Sequence, residues 1–72
     1  MIEYSNHARA RMRLYNISEA EIDNCLNNKS SSYFVGADVV YVLNESSGRT
    51  LKVRVRGGTE PLIVDAFRVG DA

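Results

Sequence analysis

Apolar residues recur every three or four positions near the start of the chain, which is the spacing of one face of an amphipathic helix. One such stripe is formed by Ala8, Met12 and Tyr15. The residues between them are mostly strong helix formers. Ser5 can cap the start of this helix, and Asn16 suits the left-handed residue that ends it. The pattern therefore predicts a first helix over residues 6–14.

A second helix carries the clearest start signal in the chain. Ser18 and Glu21 have the spacing of a capping box, in which each side chain accepts a hydrogen bond from the other residue's backbone amide. Ile17 and Ile22 flank this cap at the spacing of a hydrophobic staple. The predicted buried stripe consists of Ile22, Cys25 and Leu26. We expect the helix to end in the polar stretch 27–32, which then forms a loop.

From residue 33 onward the residue types change to those that favour strands, chiefly Val, Ile, Leu, Tyr and Phe. The predicted strands cover residues 33–35, 39–43, 50–56 and 62–67. Polar or glycine-containing turns separate them at 36–38, 44–48 and 57–61. Residues 1–4 form either a short strand or a frayed end, and residues 68–72 form a tail.

Strict alternation of apolar and cationic residues marks the strand predicted over 50–56. One face of this strand carries Leu51, Val53 and Val55. The opposite face carries Lys52, Arg54 and Arg56. Such alternation is typical of an antiparallel strand with one face on the core and the other in water.

The placement of two helices before all of the main strands predicts an α+β fold. We expect a single domain over residues 1–72, in which the two N-terminal helices pack on one face of a three- or four-stranded antiparallel sheet. The composition agrees with a globular domain, since 44% of the residues are hydrophobic and 25% are charged.

Composition also limits the classes of site and location. The single cysteine, Cys25, excludes an internal disulfide and fits a reducing compartment. No apolar run is long enough to span a membrane, and the first residues do not form a signal segment, so we expect a cytoplasmic protein without a membrane partner. We expect no metal and no cofactor, because one histidine and one cysteine do not make a ligand set.

Charge adds to this picture through its distribution, because the formal net charge is zero. One cationic group falls in the first helix and comprises His7, Arg9, Arg11 and Arg13. A second group falls late in the chain and comprises Arg49, Lys52, Arg54 and Arg56. A neutral protein can still present one basic face to a nucleic acid.

The first helix and the start of the second contain a short motif. It reads His7-Ala8-x-x-Arg11-Met12, followed by Ile17-Ser18-x-x-Glu21-Ile22. With the meander of strands behind it, this pattern resembles the small bacterial domain of unknown function 4258. That family is grouped with the RelE/ParE-type toxins and the wider barnase- and colicin-like ribonuclease folds. The resemblance implies a RelE-toxin-like sheet with two N-terminal helices on one side and an open face that could receive RNA.

The resemblance makes His7 and Arg11 the candidate catalytic residues. RNA cleavage without a metal needs a base for the 2′-hydroxyl proton, an acid for the leaving 5′-oxygen and cations for the developing charge. His7 fits the role of acid or base because an imidazole titrates near neutral pH. Arg11 fits a bidentate phosphate clamp. In the alternative, His7 is a polar surface residue and Arg11 pairs with an acid such as Glu21 or Glu3.

The last predicted strand departs from the family. There the resemblance implies a threonine followed by an aromatic residue, whereas residues 64–67 of this chain contain no hydroxyl group. The missing group removes one acid, base or phosphate contact from the implied site. Asp65 is the polar residue of this stretch, and the sequence leaves open whether it takes over that function.

The candidate RNA-binding residues are Arg13, Lys52, Arg54, Arg56 and Tyr41. Cations at alternate positions of a strand lie about 7 Å apart and can follow a phosphate backbone. Tyr33 and Tyr41 offer rings on which bases can stack. The alternative is a solvated face with cross-strand ion pairs, in which Asp65 supplies the counter-charge and the tyrosines lie at the edge of the core.

Two functions fit these residues. The first is a small toxin-like protein of the toxin–antitoxin type, an RNA-binding domain or a metal-independent endoribonuclease. Its partners would be RNA or the ribosome and an antitoxin protein. The second is a non-catalytic protein-binding module of the same fold, which forms a homodimer through an exposed edge strand or the open sheet face. The catalytic function requires His7 to face the basic strand.

Overall fold

Two helices and five strands make up the residues 2–57 and 61–70 that the computed structural model describes. Their order along the chain is β1 (Glu3–Tyr4), α1 (Asn6–Tyr15), α2 (Glu19–Asn28), β2 (Ser31–Val35), β3 (Asp38–Asn44), β4 (Thr50–Arg56) and β5 (Leu62–Val69). Within this part of the chain, neither helix is long and apolar enough to cross a bilayer.

The five strands form one mixed sheet in the order β1-β5-β4-β3-β2. Strands β2 to β5 pair antiparallel in succession, whereas β1 runs parallel to β5 and pairs Glu3 with Leu62. The predicted α+β class is confirmed. The expected sheet of three or four antiparallel strands is wrong in strand number and in the direction of β1. β1 has only two residues, which are too few to show an alternation of apolar and polar positions. The sequence therefore allows a short strand here but does not indicate which strand it pairs with.

Three strands extend beyond their predicted bounds. β3 is one residue longer at each end than predicted and covers Asp38–Asn44. β2 begins at Ser31, inside the stretch expected to be a loop, because Ser31 pairs with Val42 of β3. β5 continues to Val69, so Arg68 belongs to a strand and the prediction of a tail from this residue is wrong. In all three strands the partner strand supplies the hydrogen bonds that the local residue types do not predict. Part of the predicted turn at 57–61 lies outside the described residues.

The predicted helix caps at Ser5, Asn16 and Ser18 are confirmed. The hydroxyl of Ser5 accepts a hydrogen bond from the Ala8 amide at 3.0 Å, and Asn16 ends α1 in the left-handed conformation with a φ of 55°. At the start of α2, the Glu21 amide donates to Ser18 Oγ at 3.1 Å. The Ser18 amide donates to Glu21 Oε1 at 3.0 Å, which completes the capping box. These contacts satisfy amides that have no partner within the helix.

Both helices pack on one face of the sheet, and the core lies between the two layers. Its buried residues are Ala8, Met12, Ile17, Ile22, Cys25, Leu51, Val53, Val55, Ile63 and Ala66. The predicted apolar face of β4 and the predicted helix stripes therefore contribute to one core. The other side of the sheet, here called the open face, is not covered by any element among the described residues.

A β-bulge in β5 decides which of its residues reach the open face. Val55 pairs with Ile63, but the preceding residue Arg54 pairs with Asp65, so Val64 has no partner in β4. Ile63 and Ala66 are both fully buried although they are three residues apart. The extra residue, Val64, shifts the alternation of core-facing and open-face side chains along β5 by one position. Without it Asp65 would share the core face with Ile63, and with it Asp65 lies on the open face.

Candidate functional site

A cross-strand row on the open face leads from the free edge of β2 to helix α1. In the strand register Tyr33 pairs with Val40, Val40 with Arg54, and Arg54 with Asp65. Side chains that are paired across a sheet lie on the same face. The row therefore places Tyr33, Arg54 and Asp65 on one line across the sheet. His7 of α1 follows at its end.

The imidazole of His7 faces the carboxylate of Asp65. His7 Nε2 lies 3.4 Å from Asp65 Oδ1, within ion-pair distance but longer than a hydrogen bond. Asp65 Oδ1 also accepts a hydrogen bond from the Ala66 amide at 2.9 Å, which orients the carboxylate. The His7 side chain is 58% exposed, so its imidazole is accessible to a ligand.

Ser5 attaches the start of α1 to the bulged strand. Its amide donates to the Ile63 carbonyl at 2.9 Å, and its hydroxyl donates to the Val64 carbonyl at 3.2 Å. The same hydroxyl caps the helix through Ala8. Because His7 lies in the first turn of α1, this attachment fixes its backbone beside Asp65.

Asp38 holds two arginines of β4 together on the same face. Arg54 Nε donates to Asp38 Oδ2 at 2.7 Å, and Arg56 Nε donates to Asp38 Oδ1 at 3.1 Å. The Asp38 residue is only 3% exposed. Hydrogen bonds from Arg56 and Arg54 lower the pKa of Asp38 below its usual value, so the carboxylate stays charged. Each arginine uses Nε for this contact, and the terminal guanidinium nitrogens make no ion pair with the other described residues.

These groups line a shallow cleft of about 200 Å³. Its lining residues are His7, Asp38, Arg54, Arg56, Val64 and Asp65. A base next to a carboxylate, facing two arginines, is an arrangement that can bind a phosphate and move a proton beside it. Among the described residues, no three potential ligands from His, Cys, Asp and Glu cluster for a metal ion.

The structure brings together only some of the residues that the sequence proposed. His7, Arg54 and Arg56 meet in the cleft. Lys52 lies on the open face one row away, with its ammonium group 5.9 Å from the centroid of the Tyr33 ring. Arg11 does not line the cleft, and the alternative, an ion pair with Glu21 or Glu3, is not found among the described residues either.

Arg13 and Tyr41 lie elsewhere. Arg13 lines a larger depression of about 340 Å³ between α1 and α2, which contains no histidine. Tyr41 pairs with Val53 and packs against the core, so it lies on the helix side of the sheet, with Lys29 Nζ 5.2 Å from its ring centroid. Neither residue contributes to the cleft, because both lie on other surfaces of the domain.

Sequence reasoning missed Asp38 and gave Asp65 a different role. In the alternative of a solvated face Asp65 supplies the counter-charge of the basic strand, whereas in the structure Asp38 does so and Asp65 faces His7. The sequence pattern places Asp38 in a turn, whereas in the structure it is the first residue of β3. The pairing of Asn44 with Thr50 fixes the hairpin register and places Asp38 opposite Arg56. The position of Asp38 opposite Arg56 follows from this pair by counting six residues back along β3 and six forward along β4.

Arg68 was also missed, and it has a structural role. Its side chain is only 8% exposed and bridges Glu21 of α2 and Glu45 of the loop after β3. Arg68 Nε donates to Glu45 Oε1 at 2.8 Å, and Nη2 donates to Glu21 Oε2. The Ser18 amide and the Arg68 guanidinium lower the pKa of Glu21 below its usual value. This triplet connects the helix layer to the sheet.

Comparisons of the chain with protein-family models, with curated proteins and with solved structures found no match. The family resemblance of the N-terminal motif therefore stays a prediction. The geometry of the cleft and of the open face carries the functional argument.

Proposed function

We propose that this domain binds RNA on its open face and cleaves it in the cleft of His7, Asp65, Arg54 and Arg56. The observation that carries the proposal is the meeting of His7 with the cationic strand. The two are more than 40 residues apart in the chain, and an ion pair between the arginines and Asp38 does not by itself require a histidine nearby. Among the described residues, the cleft combines a proton acceptor with two phosphate-binding side chains.

In the proposed reaction His7 acts as the general base. Its Nε2 faces Asp65, so a proton on Nε2 is stabilised by the carboxylate and Nδ1 is left to accept a proton. Nδ1 takes the proton of a ribose 2′-hydroxyl, and the 2′-oxygen attacks the adjacent phosphorus. The bond from phosphorus to the 5′-oxygen breaks, and water protonates the leaving oxygen. The products are a 2′,3′-cyclic phosphate and a 5′-hydroxyl, and His7 returns its proton to solvent.

Arg54 and Arg56 would stabilise the charge that develops on the phosphate oxygens. Asp38 holds both guanidinium groups by Nε, which leaves the terminal nitrogens to donate to the phosphate. A preorganised donor of this kind contributes about 100-fold or more to the rate of an acyl transfer, and we expect a comparable contribution here. The 3.4 Å contact of His7 with Asp65 would shorten when substrate fills the cleft.

The proposal of a toxin-like protein rests on the order of its helices and strands and on the resemblance of the N-terminal motif. The order of two helices followed by the main strands, with one open sheet face, is the arrangement that the resemblance to RelE/ParE-type toxins implies. We accordingly propose a cytoplasmic toxin-like protein whose RNA substrate is free or ribosome-bound and whose activity an antitoxin protein restrains. Both partners remain proposals that rest on the cleavage chemistry.

The test is RNA cleavage by the purified domain and by matched variants. His7→Ala is expected to lower kcat at least about 100-fold, because it removes the general base. Arg56→Ala is expected to lower kcat/KM by about 100-fold through the lost stabilisation of charge on the phosphate. Leu14→Ala serves as the control, since Leu14 is 72% exposed on the same helix and lies outside the cleft.

The thermal midpoint of each variant shows whether it is folded. Cleavage by His7→Ala at the wild-type rate would point to a contaminating nuclease and contradict the proposed mechanism. A folded wild-type protein that neither binds nor cleaves RNA would contradict the proposed function as a whole.

A second candidate function, homodimerisation without catalysis, has one observation in its favour. β2 is an edge strand without charged residues or proline, and Phe34 on it is 81% exposed. Such an edge offers unpaired backbone groups to a second strand. Light scattering across a wide range of concentrations would test this, and a strict monomer would contradict it.

A further inference from the structure

We propose that the open face selects single-stranded RNA, which runs from the cleft across the sheet to a base-stacking site at Tyr33. This inference rests on the proposed function and adds the substrate class. Tyr33 is the recognition residue, and Lys52 contacts the intervening phosphate. The cleft determines which phosphodiester of the RNA is cleaved. Tyr33, at the far end of the row, determines that single-stranded rather than double-stranded RNA is bound.

The strand register sets the direction and the length of this path. From Asp65 to Tyr33 the row crosses β5, β4, β3 and β2, which spans about 14 Å at the usual spacing of neighbouring strands. Val40 lies between Tyr33 and Arg54 and is only 4% exposed, so neighbouring side chains cover it and the path runs over them. Lys52 lies beside this line, one row away. The row thus joins the cleft to an aromatic ring, and a cation flanks it.

The Tyr33 ring is available for a base. Tyr33 is 45% exposed, and its contact with Lys52 is a cation–π interaction at 5.9 Å. At an exposed site this interaction is weaker than the stacking of a base on an aromatic ring. An incoming nucleotide can therefore take the ring face while the Lys52 ammonium moves to its phosphate.

Electrostatics alone would hold RNA weakly on this surface. Two of the three cations that β4 presents on the open face lie close to carboxylates, since Asp38 binds Arg54 and Arg56 and Asp65 lies opposite Arg54. The net charge of the chain is zero. Affinity must therefore include a contact that does not depend on charge, and stacking on Tyr33 supplies it.

Stacking also explains why the substrate would be single-stranded. In a duplex each base is already stacked between its neighbours, so its face is not available to the Tyr33 ring. An unpaired base can turn onto the ring without loss of pairing. The expected preference is for unpaired over paired RNA, with little dependence on sequence.

Two exposed aromatic residues on β2 provide a matched pair for the test. Tyr33 lies on the open face, whereas its neighbour Phe34 points to the opposite side of the same strand. Binding would be measured by fluorescence anisotropy with a labelled single-stranded 2′-O-methyl oligonucleotide, which has no free 2′-hydroxyl to attack. The same sequence annealed to its complement supplies the duplex. Cleavage would be measured in parallel on unmodified RNA.

Tyr33→Ala is expected to raise Kd for the single strand about 10-fold and KM by a similar factor, with kcat nearly unchanged. Tyr33→Phe should retain wild-type affinity, since the ring is kept. Phe34→Ala should also bind as the wild type does. The duplex should bind weakly to all four proteins, with no further loss in Tyr33→Ala.

Each other outcome overturns a defined part of the proposal. If the wild type cleaves RNA but Tyr33→Ala matches Phe34→Ala in Kd and KM, the stacking path is wrong and the proposed function stands. If the duplex binds as tightly as the single strand, the substrate class is wrong. If no RNA binds and none is cleaved, the proposed function and this inference both fail.

Discussion

His7 Nε2 lies 3.4 Å from Asp65 Oδ1, although the two residues belong to the first helix and the last strand. Two features bring them together. The β-bulge at Val64 turns Asp65 onto the open face, and Ser5 hydrogen-bonds the start of α1 to the same strand. The contact therefore depends on the register of β5 and on the attachment of the helix, and both can be tested separately.

Asp65→Asn is expected to lower kcat by about 10-fold or more while the domain stays folded. The amide keeps the size of the side chain but carries no charge to stabilise a protonated His7. The measurement is the rate of RNA cleavage as a function of pH in the wild type and the variant. An unchanged rate and pH profile would show that Asp65 does not assist His7.

Ser5→Ala is expected to lower the free energy of unfolding by about 1–2 kcal/mol, because it removes a helix cap and a bond to β5. It should also lower kcat, since the backbone of His7 loses its fixed position. Urea unfolding and cleavage assays measure the two effects. A control is Ser32→Ala, an exposed serine on β2 for which little change in either quantity is expected. Lost stability with an unchanged kcat would contradict the positioning role.

Stability should fall in acid because of Asp38 and Glu21. Both carboxyl groups have a lowered pKa in the folded protein, so the unfolded chain binds their protons at a higher pH. The free energy of unfolding is therefore highest above the ordinary carboxyl pKa of about 4 and falls as the pH drops below it. Asp38→Asn should be less stable at neutral pH and show a shallower fall.

Urea unfolding at a series of pH values between neutrality and strong acid provides this measurement. The matched control is Asp23→Asn, which makes the same charge change at an exposed position of α2. If Asp38→Asn showed the same acid dependence as the wild type, the paired arginines would not hold the Asp38 charge in the folded state.

Arg68→Met is expected to lower the free energy of unfolding by roughly 2 kcal/mol. The change leaves Glu21 and Glu45 without their cation, and the cost stays below that of a fully buried pair because Glu21 remains 40% exposed. Thermal unfolding should show a midpoint lower by about 8 °C or more. Arg13→Met, at an exposed position of α1, is the control and should change stability by less than about 0.5 kcal/mol.

The sequence by itself determined the parts of this fold that depend on neighbours in the chain. The cap at Ser5, the capping box at Ser18, and the alternation of β4 all follow from spacings of two to four residues. Such signals act through local hydrogen bonds and through the period of helix or strand. His7, Arg54 and Arg56 were found as candidates because their chemistry is visible without a partner.

Only the tertiary structure decided which candidates meet. Asp38, Asp65 and Arg68 each acquire their role from a residue on a different strand or helix. The bulge at Val64 reverses the facing of every residue after it in β5, and no local residue type announces it. Arg11 and Arg13 share a helix with His7 but lie outside the cleft. Strand register and helix attachment depend on contacts between distant parts of the chain, and they decide which of the candidate residues line the cleft.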